Sequence, residues 1–136
     1  MGIIAKVLTM LLALILFGCG TTEDPTVKYK GYSASKLYWQ GIESMKKTNY
    51  KSAIELFEAL DAMYPFGEYA EKEQLYIIYA YYKDSDYPEA LAATQRFIHL
   101  HPDSPHADYA YYMKAVLNYE QNWGVFERYV PASKLY

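Results

Sequence analysis

The sequence predicts an all-α fold of stacked helical hairpins, an α-solenoid, and three observations predict it. Shifting the chain by 37 residues lays Asn49-Tyr50 on Asp86-Tyr87, Ala53-Ile54 on Ala90-Leu91, Leu60 on Phe97, Pro65 on Pro102 and Ala70 on Ala107. Within each copy the apolar residues recur at helical spacing: Phe57 and Leu60 share one face, as do Thr94 and Phe97 in the second copy. Each copy then closes on a proline, Pro65 or Pro102, which lacks an amide donor and turns the preceding residue away from helix.

Taken in order, these signals predict five helices: 34–47, 50–63, 68–83, 87–100 and 105–121. Tyr50 and Tyr87 each follow a polar turn, and the small residues Ala53 and Ala90 let two helices approach closely. The third helix carries Leu75, Ile78, Tyr79 and Tyr82 on one stripe, but Tyr76, Ile77, Ala80 and Tyr81 elsewhere. A helix apolar on most sides needs cover on most sides, which a middle helix of a stacked array receives. Ala, an aromatic residue and a closing Pro in this order resemble the tetratricopeptide repeat, giving about two and a half repeats over residues 33–136.

Ahead of the repeats, Lys6 is followed by an apolar run from Val7 to Phe17 and then by Gly18 and Cys19. A basic start, an apolar stretch and a small residue at the cut are the three parts of a secretory signal peptide, assigned to residues 1–18. The run is shorter than the ~20 residues that a permanent span needs. Cys19 has no second cysteine to pair with. Leu16-Phe17-Gly18-Cys19 resembles the lipobox of bacterial lipoproteins, which implies lipid on Cys19 as the one covalent group and no other cofactor. Several acyl chains together make a durable membrane anchor. Gly20, rather than Asp, after the cysteine implies by the same resemblance the periplasmic face of the outer membrane. Residues 19–32, rich in Thr, Gly and charge without an apolar period, are expected as a lipidated flexible tether with a span of ~20 Å.

Charge excludes some functions. The leader removes one of 13 basic residues, Lys6, and none of the 16 acidic ones, so the remainder is mildly acidic. No Lys or Arg cluster matches a nucleic-acid backbone. His99, His101 and His106 lie close in sequence, but one ends a helix, one precedes Pro102 and one opens the next helix, which does not converge on a tetrahedral metal site. Glu55, Glu58 and Asp61, which could be cast as an acid and base pair, read as a solvated helical face. There is no phosphate loop, serine elbow or HExxH pattern, and the expectation is a protein that is not an enzyme.

The stretches AIELFEALDAMYPFGEYA, QLYIIYAYYKDSDYPEA and RFIHLHPDSPHADYAYYM, behind a lipobox, resemble the BamD/ComL family of outer-membrane β-barrel assembly lipoproteins. That family carries more repeats than fit here, so residues 33–136 are expected to be a truncated repeat domain. The resemblance implies a scaffold that binds BamA and other subunits of the Bam complex and receives unfolded outer-membrane β-barrel precursors. Two other functions fit a repeat lipoprotein: a pilotin escorting a secretin, and a peptidoglycan-associated envelope protein. Tyrosine, at 17 residues, is the unusual feature. On the repeat pattern, Tyr38, Tyr79, Tyr82, Tyr109, Tyr112 and Tyr119 are expected at a concave groove, with Lys36, Lys46, Lys72 and Lys83 nearby, though packed core rings are an equal alternative. The family's proposed ligand there is the barrel C-terminal signal, an extended peptide ending in an aromatic residue and a carboxylate.

Overall fold

A computed structural model describes residues 24–129, with side chains as far as residue 122; the signal peptide and Cys19 lie outside these. The described residues form six helices: α1 (Pro25–Lys28), α2 (Ala34–Lys46), α3 (Tyr50–Met63), α4 (Ala70–Lys83), α5 (Tyr87–Leu100) and α6 (Ala107–Tyr129). From α2 onward each helix packs on the next, and α4 also touches α6, the arrangement of stacked hairpins.

Local chemistry sets the boundaries. The Ser33 hydroxyl accepts the Lys36 amide at the start of α2, and the Asn49 side chain accepts the Ser52 amide at the start of α3. The tight α2–α3 and α4–α5 turns place Thr48 at φ 56° and Ser85 at φ 66°, equivalent positions in the repeat. Two helices start later than the sequence predicts. Residues 67–70 and 104–107 instead make single turns, closed by Ala70 N–H to Gly67 O and Ala107 N–H to Ser104 O. At its far end α6 runs on to Tyr129 rather than ending near Gln121.

Two apolar clusters form the core. Leu37, Tyr38, Ala53, Leu56, Phe57, Ala59, Leu60 and Ile77 make the first; Ile78, Ala90, Phe97, Ala110, Met113 and Leu117 make the second. Adjacent residues of α4, Ile77 and Ile78, therefore serve different clusters, as expected of a helix covered on opposite sides. Ala53 and Ala90 are fully buried, so both hairpins close on a small residue. In the first hairpin Gly41 adds to this: a Cβ there would stand 2.5 Å from Cε1 of Phe57, whose ring is itself fully buried.

Segment 19–32, expected as a tether, is attached to the repeats from Asp24 on. Asp24 caps α1 by accepting the Thr26 amide, α1 packs against α3, and Lys28 and the Tyr29 hydroxyl both bond the Glu55 carboxylate. The Tyr64 hydroxyl donates to the Tyr32 carbonyl at 2.8 Å. The acids expected as a solvated face, of which Glu55 is exposed, also bond neighbouring elements. Glu55 holds the N-terminal turn, Glu58 accepts from the Tyr81 hydroxyl of α4, and Asp61 takes both guanidinium nitrogens of Arg96 of α5 at 2.6 and 2.8 Å. The i, i+3, i+6 spacing that suggested one wet face also aims all three at neighbouring elements.

One polar group is buried without such a partner. Glu73 of α4 is fully buried, and neither carboxylate oxygen has a hydrogen bond. Burial, with the Asp61 charge adding to it and Arg96 opposing it, pushes this carboxyl up to about 9, so it is protonated at neutral pH.

Two predictions follow from the packing and the buried acid. Ala90→Leu should cost about 1–3 kcal/mol by overpacking, and Gly41→Ala should cost less because Ala gains about 1 kcal/mol of helix propensity. Ala62→Leu on the exposed side of α3 is the control. Urea midpoints unchanged in Ala90→Leu would mean that the hairpin register is wrong. For Glu73, the folded protein keeps a proton that the unfolded chain releases near its ordinary value of 4.5. Its contribution to stability is thus complete below that pH and declines as pH rises toward about 9. Urea titrations at pH 5.5 and 8.5 should show a flatter pH dependence in Glu73→Gln than in the parent protein.

Candidate functional site

The first helices of successive hairpins, α2, α4 and α6, carry most of the aromatic residues, and the repeat offset sorts them into rows. Trp39 and Tyr76 occupy one row, 59% and 40% exposed, with buried Met113 as its third member. Ile42 and Tyr79 occupy the next. Tyr38 shares its row with Leu75 and Tyr112, and Met45, Tyr82 and Tyr119 form another. In α2 and α4 the members of the last two rows pack into the clusters that their own hairpins close.

This register spreads the six expected groove tyrosines over four places. Tyr38 is buried in the first cluster, stacked on Tyr69 with centroids 4.5 Å apart and edge-on to Trp39 and Tyr76 at 5.2 and 6.1 Å. Tyr82 is half-buried at the α4–α5 turn, 5.9 Å from the Tyr87 ring. Tyr79, Tyr109 and Tyr112 form one group across α4 and α6. Half-buried Tyr109 has its hydroxyl pushed up to about 12 by burial, with Tyr79 and Tyr112 adding to the shift. Tyr112 and Tyr119 are exposed on α6, 64% and 62%.

Trp39, Tyr69, Tyr76 and Tyr50 are the aromatic residues that the sequence reading left out of the site. Tyr50 stands edge-on to Tyr79 at 6.5 Å, and Tyr76 stacks over Phe57 at 6.0 Å. The signal that could have found Trp39 and Tyr76 is the same 37-residue offset, applied to the first helices as well as the second. The aromatic series therefore consists of two groups, Trp39, Tyr38, Tyr69 and Tyr76, and Tyr79, Tyr109 and Tyr112. Lys36, Lys46, Lys72 and Lys83 are all exposed, and Lys36 Nζ lies 3.5 Å from the centroid of the Tyr32 ring. Such rings and cations suit an extended peptide with aromatic side chains and negative charge.

The histidines are not part of this series. His101 shares a hydrogen bond with Gln74 at 3.2 Å and lies 5.0 Å from the Phe97 ring, while His99 and His106 are exposed. Among the described residues no group of three His, Cys, Asp or Glu could hold a metal ion, and no helix is long and apolar enough to cross a membrane.

Comparison with known proteins places the chain. The family model YfiO, described as outer membrane lipoprotein, matches residues 30–134. The outer membrane protein assembly factor BamD of Vibrio cholerae is 39% identical over 120 residues, covering 86% of this chain and 48% of that protein. The protein of the same name from Neisseria gonorrhoeae is 36% identical over 118 residues, 85% of this chain and 44% of the relative. The one from Caulobacter vibrioides is 33% identical over 113 residues, 82% of this chain and 37% of the relative. The chain thus spans less than half the length of these curated relatives. With a family match across most of its residues, it belongs to the YfiO family of outer membrane lipoproteins.

Proposed function

We propose that this chain is a lipid-anchored, non-enzymatic subunit of the machinery that assembles β-barrel proteins in the outer membrane. In this role it holds BamA and other subunits on its helical scaffold and receives unfolded barrel precursors along its aromatic face. The observation that carries this reading is the pair of aromatic groups, Trp39, Tyr38, Tyr69 and Tyr76 and then Tyr79, Tyr109 and Tyr112, on or beside the first helices of three hairpins, in a chain whose curated relatives are named outer membrane protein assembly factor. Those names favour barrel assembly over the pilotin and peptidoglycan readings.

Binding, rather than catalysis, is the chemistry such a face offers. Its rings present large rigid area at low cost in side-chain entropy, and their hydroxyls supply hydrogen bonds that depend little on the sequence of the guest. Burial holds the Tyr109 hydroxyl near 12 and pushes that of Tyr81 higher still, so both remain neutral donors and neither serves as a base near neutral pH. The half-exposed members, Trp39, Tyr76, Tyr79 and Tyr112, are the ones a guest can reach.

Anchoring through Cys19 is part of the proposal. Cys19→Ala should abolish palmitate labelling and leave the precursor uncut, and normal labelling of the variant would remove the anchor. The aromatic face is tested with a fluorescent peptide ending in an aromatic residue and a free carboxylate, read by anisotropy. A buried ring contributes about 1.5–3 kcal/mol. Tyr79→Ala or Tyr112→Ala should therefore weaken binding by about tenfold or more, with circular dichroism unchanged. Trp39→Ala should do the same, whereas Tyr87→Ala, at the start of α5, should not. Equal affinity of the parent and all three face variants would leave the rings as packing alone.

A further inference from the structure

Where α3, α4 and α5 meet, the repeat is broken in a particular way. Arg96 occupies the position of fully buried Ala59, Asp61 that of Ile98, and Glu73 that of fully buried Ala110. Three ionisable residues thus gather at one level of an array that elsewhere uses apolar side chains at the same positions. Asp61 and Arg96 satisfy each other, whereas Glu73 is fully buried and no protein group bonds either of its carboxyl oxygens. Glu73 lines a cavity of about 20 Å³ together with Asp61, Gln74, Ile77, Ala93 and Arg96.

Size, polarity and charge decide what such a cavity takes. A single water needs about 10–15 Å³ of such space and two to four polar partners, while cavities that stay dry are apolar. Here the walls include a carboxyl, a carboxylate, an amide and a guanidinium, in a space too small for a phosphate or an organic ligand. A bare cation would fit the volume but not the charge. Asp61 and Arg96 already balance, and burial keeps Glu73 protonated at neutral pH, so a cation would stand uncompensated beside a guanidinium. The available bonds match a water instead. Protonated Glu73 offers an O–H, and each Asp61 oxygen keeps a lone pair beside the one that accepts from Arg96. Gln74 shares a hydrogen bond through its oxygen with His101 at 3.2 Å, which leaves its amide hydrogens to donate.

We propose that this cavity is a binding site for one water molecule, which accepts the Glu73 O–H and a Gln74 amide hydrogen and donates to Asp61. Bound there, the water joins α3, α4 and α5 at the level where the repeat has given up apolar contact. Gln74 extends the network to His101, just past α5. The exchange is favourable because a buried carboxyl without a partner costs more than holding one water in place. Asp61, Ile77, Ala93 and Arg96 also line an open cleft of about 300 Å³, so the water reaches solvent past the Asp61–Arg96 pair.

The test begins with a high-resolution crystal structure of the full chain, purified in detergent at neutral pH. A density peak within hydrogen-bond distance of Glu73, Gln74 and Asp61 is expected, and rubidium chloride soaks should give no anomalous peak there. In solution, oxygen-17 relaxation dispersion counts the waters that a protein holds for longer than it tumbles. Glu73→Leu, which keeps the bulk but removes the polar group, should lose one such water relative to the parent protein. Glu73→Gln, which still donates and accepts, should keep it. Absence of the density peak in the parent, or an unchanged count of long-lived waters in Glu73→Leu, would overturn the proposal. So would loss of the water in Glu73→Gln with the fold retained, or a rubidium peak, which would make the occupant a cation.

Discussion

Helix α4 cannot exist alone in water, and the rest of the structure follows from that constraint. Its neighbouring residues Ile77 and Ile78 point into separate clusters, and Leu75, Tyr81 and Tyr82 widen the apolar surface further. Only a helix on each side can cover such a surface. The α2–α3 hairpin supplies Phe57 and Leu60 on one side, and α5 with α6 supplies Phe97, Met113 and Leu117 on the other. Close approach is what makes this cover effective, since dispersion falls steeply with a gap of even an ångström. Gly41, set against the Phe57 ring, and fully buried Ala53 and Ala90 are what permit that approach.

How much of this was legible in the sequence depends on whether a feature repeats. The α3 and α5 helices begin at Tyr50 and Tyr87 and end at Met63 and Leu100, as the sequence reading placed them, because cap, small residue, aromatic residue and proline recur at one offset. The late starts of α4 and α6 were not legible. A single turn closed by Gly67 or Ser104 satisfies the same amides that a longer helix would, and the sequence pattern does not distinguish the two. The tether reading also missed Asp24 to Tyr32, whose attachment consists of an ion pair, a phenol bond to Glu55 and a long-range bond from Tyr64, none of which has a period.

The candidate site divides along the same line. The tyrosines were legible from composition, but whether each ring packs or faces water was not: on one row of the repeat Tyr38 is buried and Tyr112 exposed, and on the next Trp39 and Tyr76 are exposed while Met113 is buried. The Glu73, Asp61 and Arg96 group was invisible for the opposite reason. Each of the three interrupts the repeat, so a search for recurrence passes over it. Acidic and basic residues at helical spacing look like solvent-facing ones until the neighbouring helix is in place.

Breaks in a repeat carry information because of what they cost. Exchanging three apolar positions for a buried acid and a flanking ion pair forgoes burial of apolar area and leaves a carboxyl that must stay protonated to remain inside. An Ala at position 73, as at Ala110, would avoid that cost in the same helix-to-helix contact. A local departure from the rule that the rest of the array obeys is the pattern expected where binding, rather than stability, governs the choice of residue. The aromatic face shows a milder form of the same trade. Tyr79 and Tyr112 leave much of each ring in water, where a fully packed leucine would stabilise the solenoid more but would offer a guest neither a ring face nor a hydroxyl.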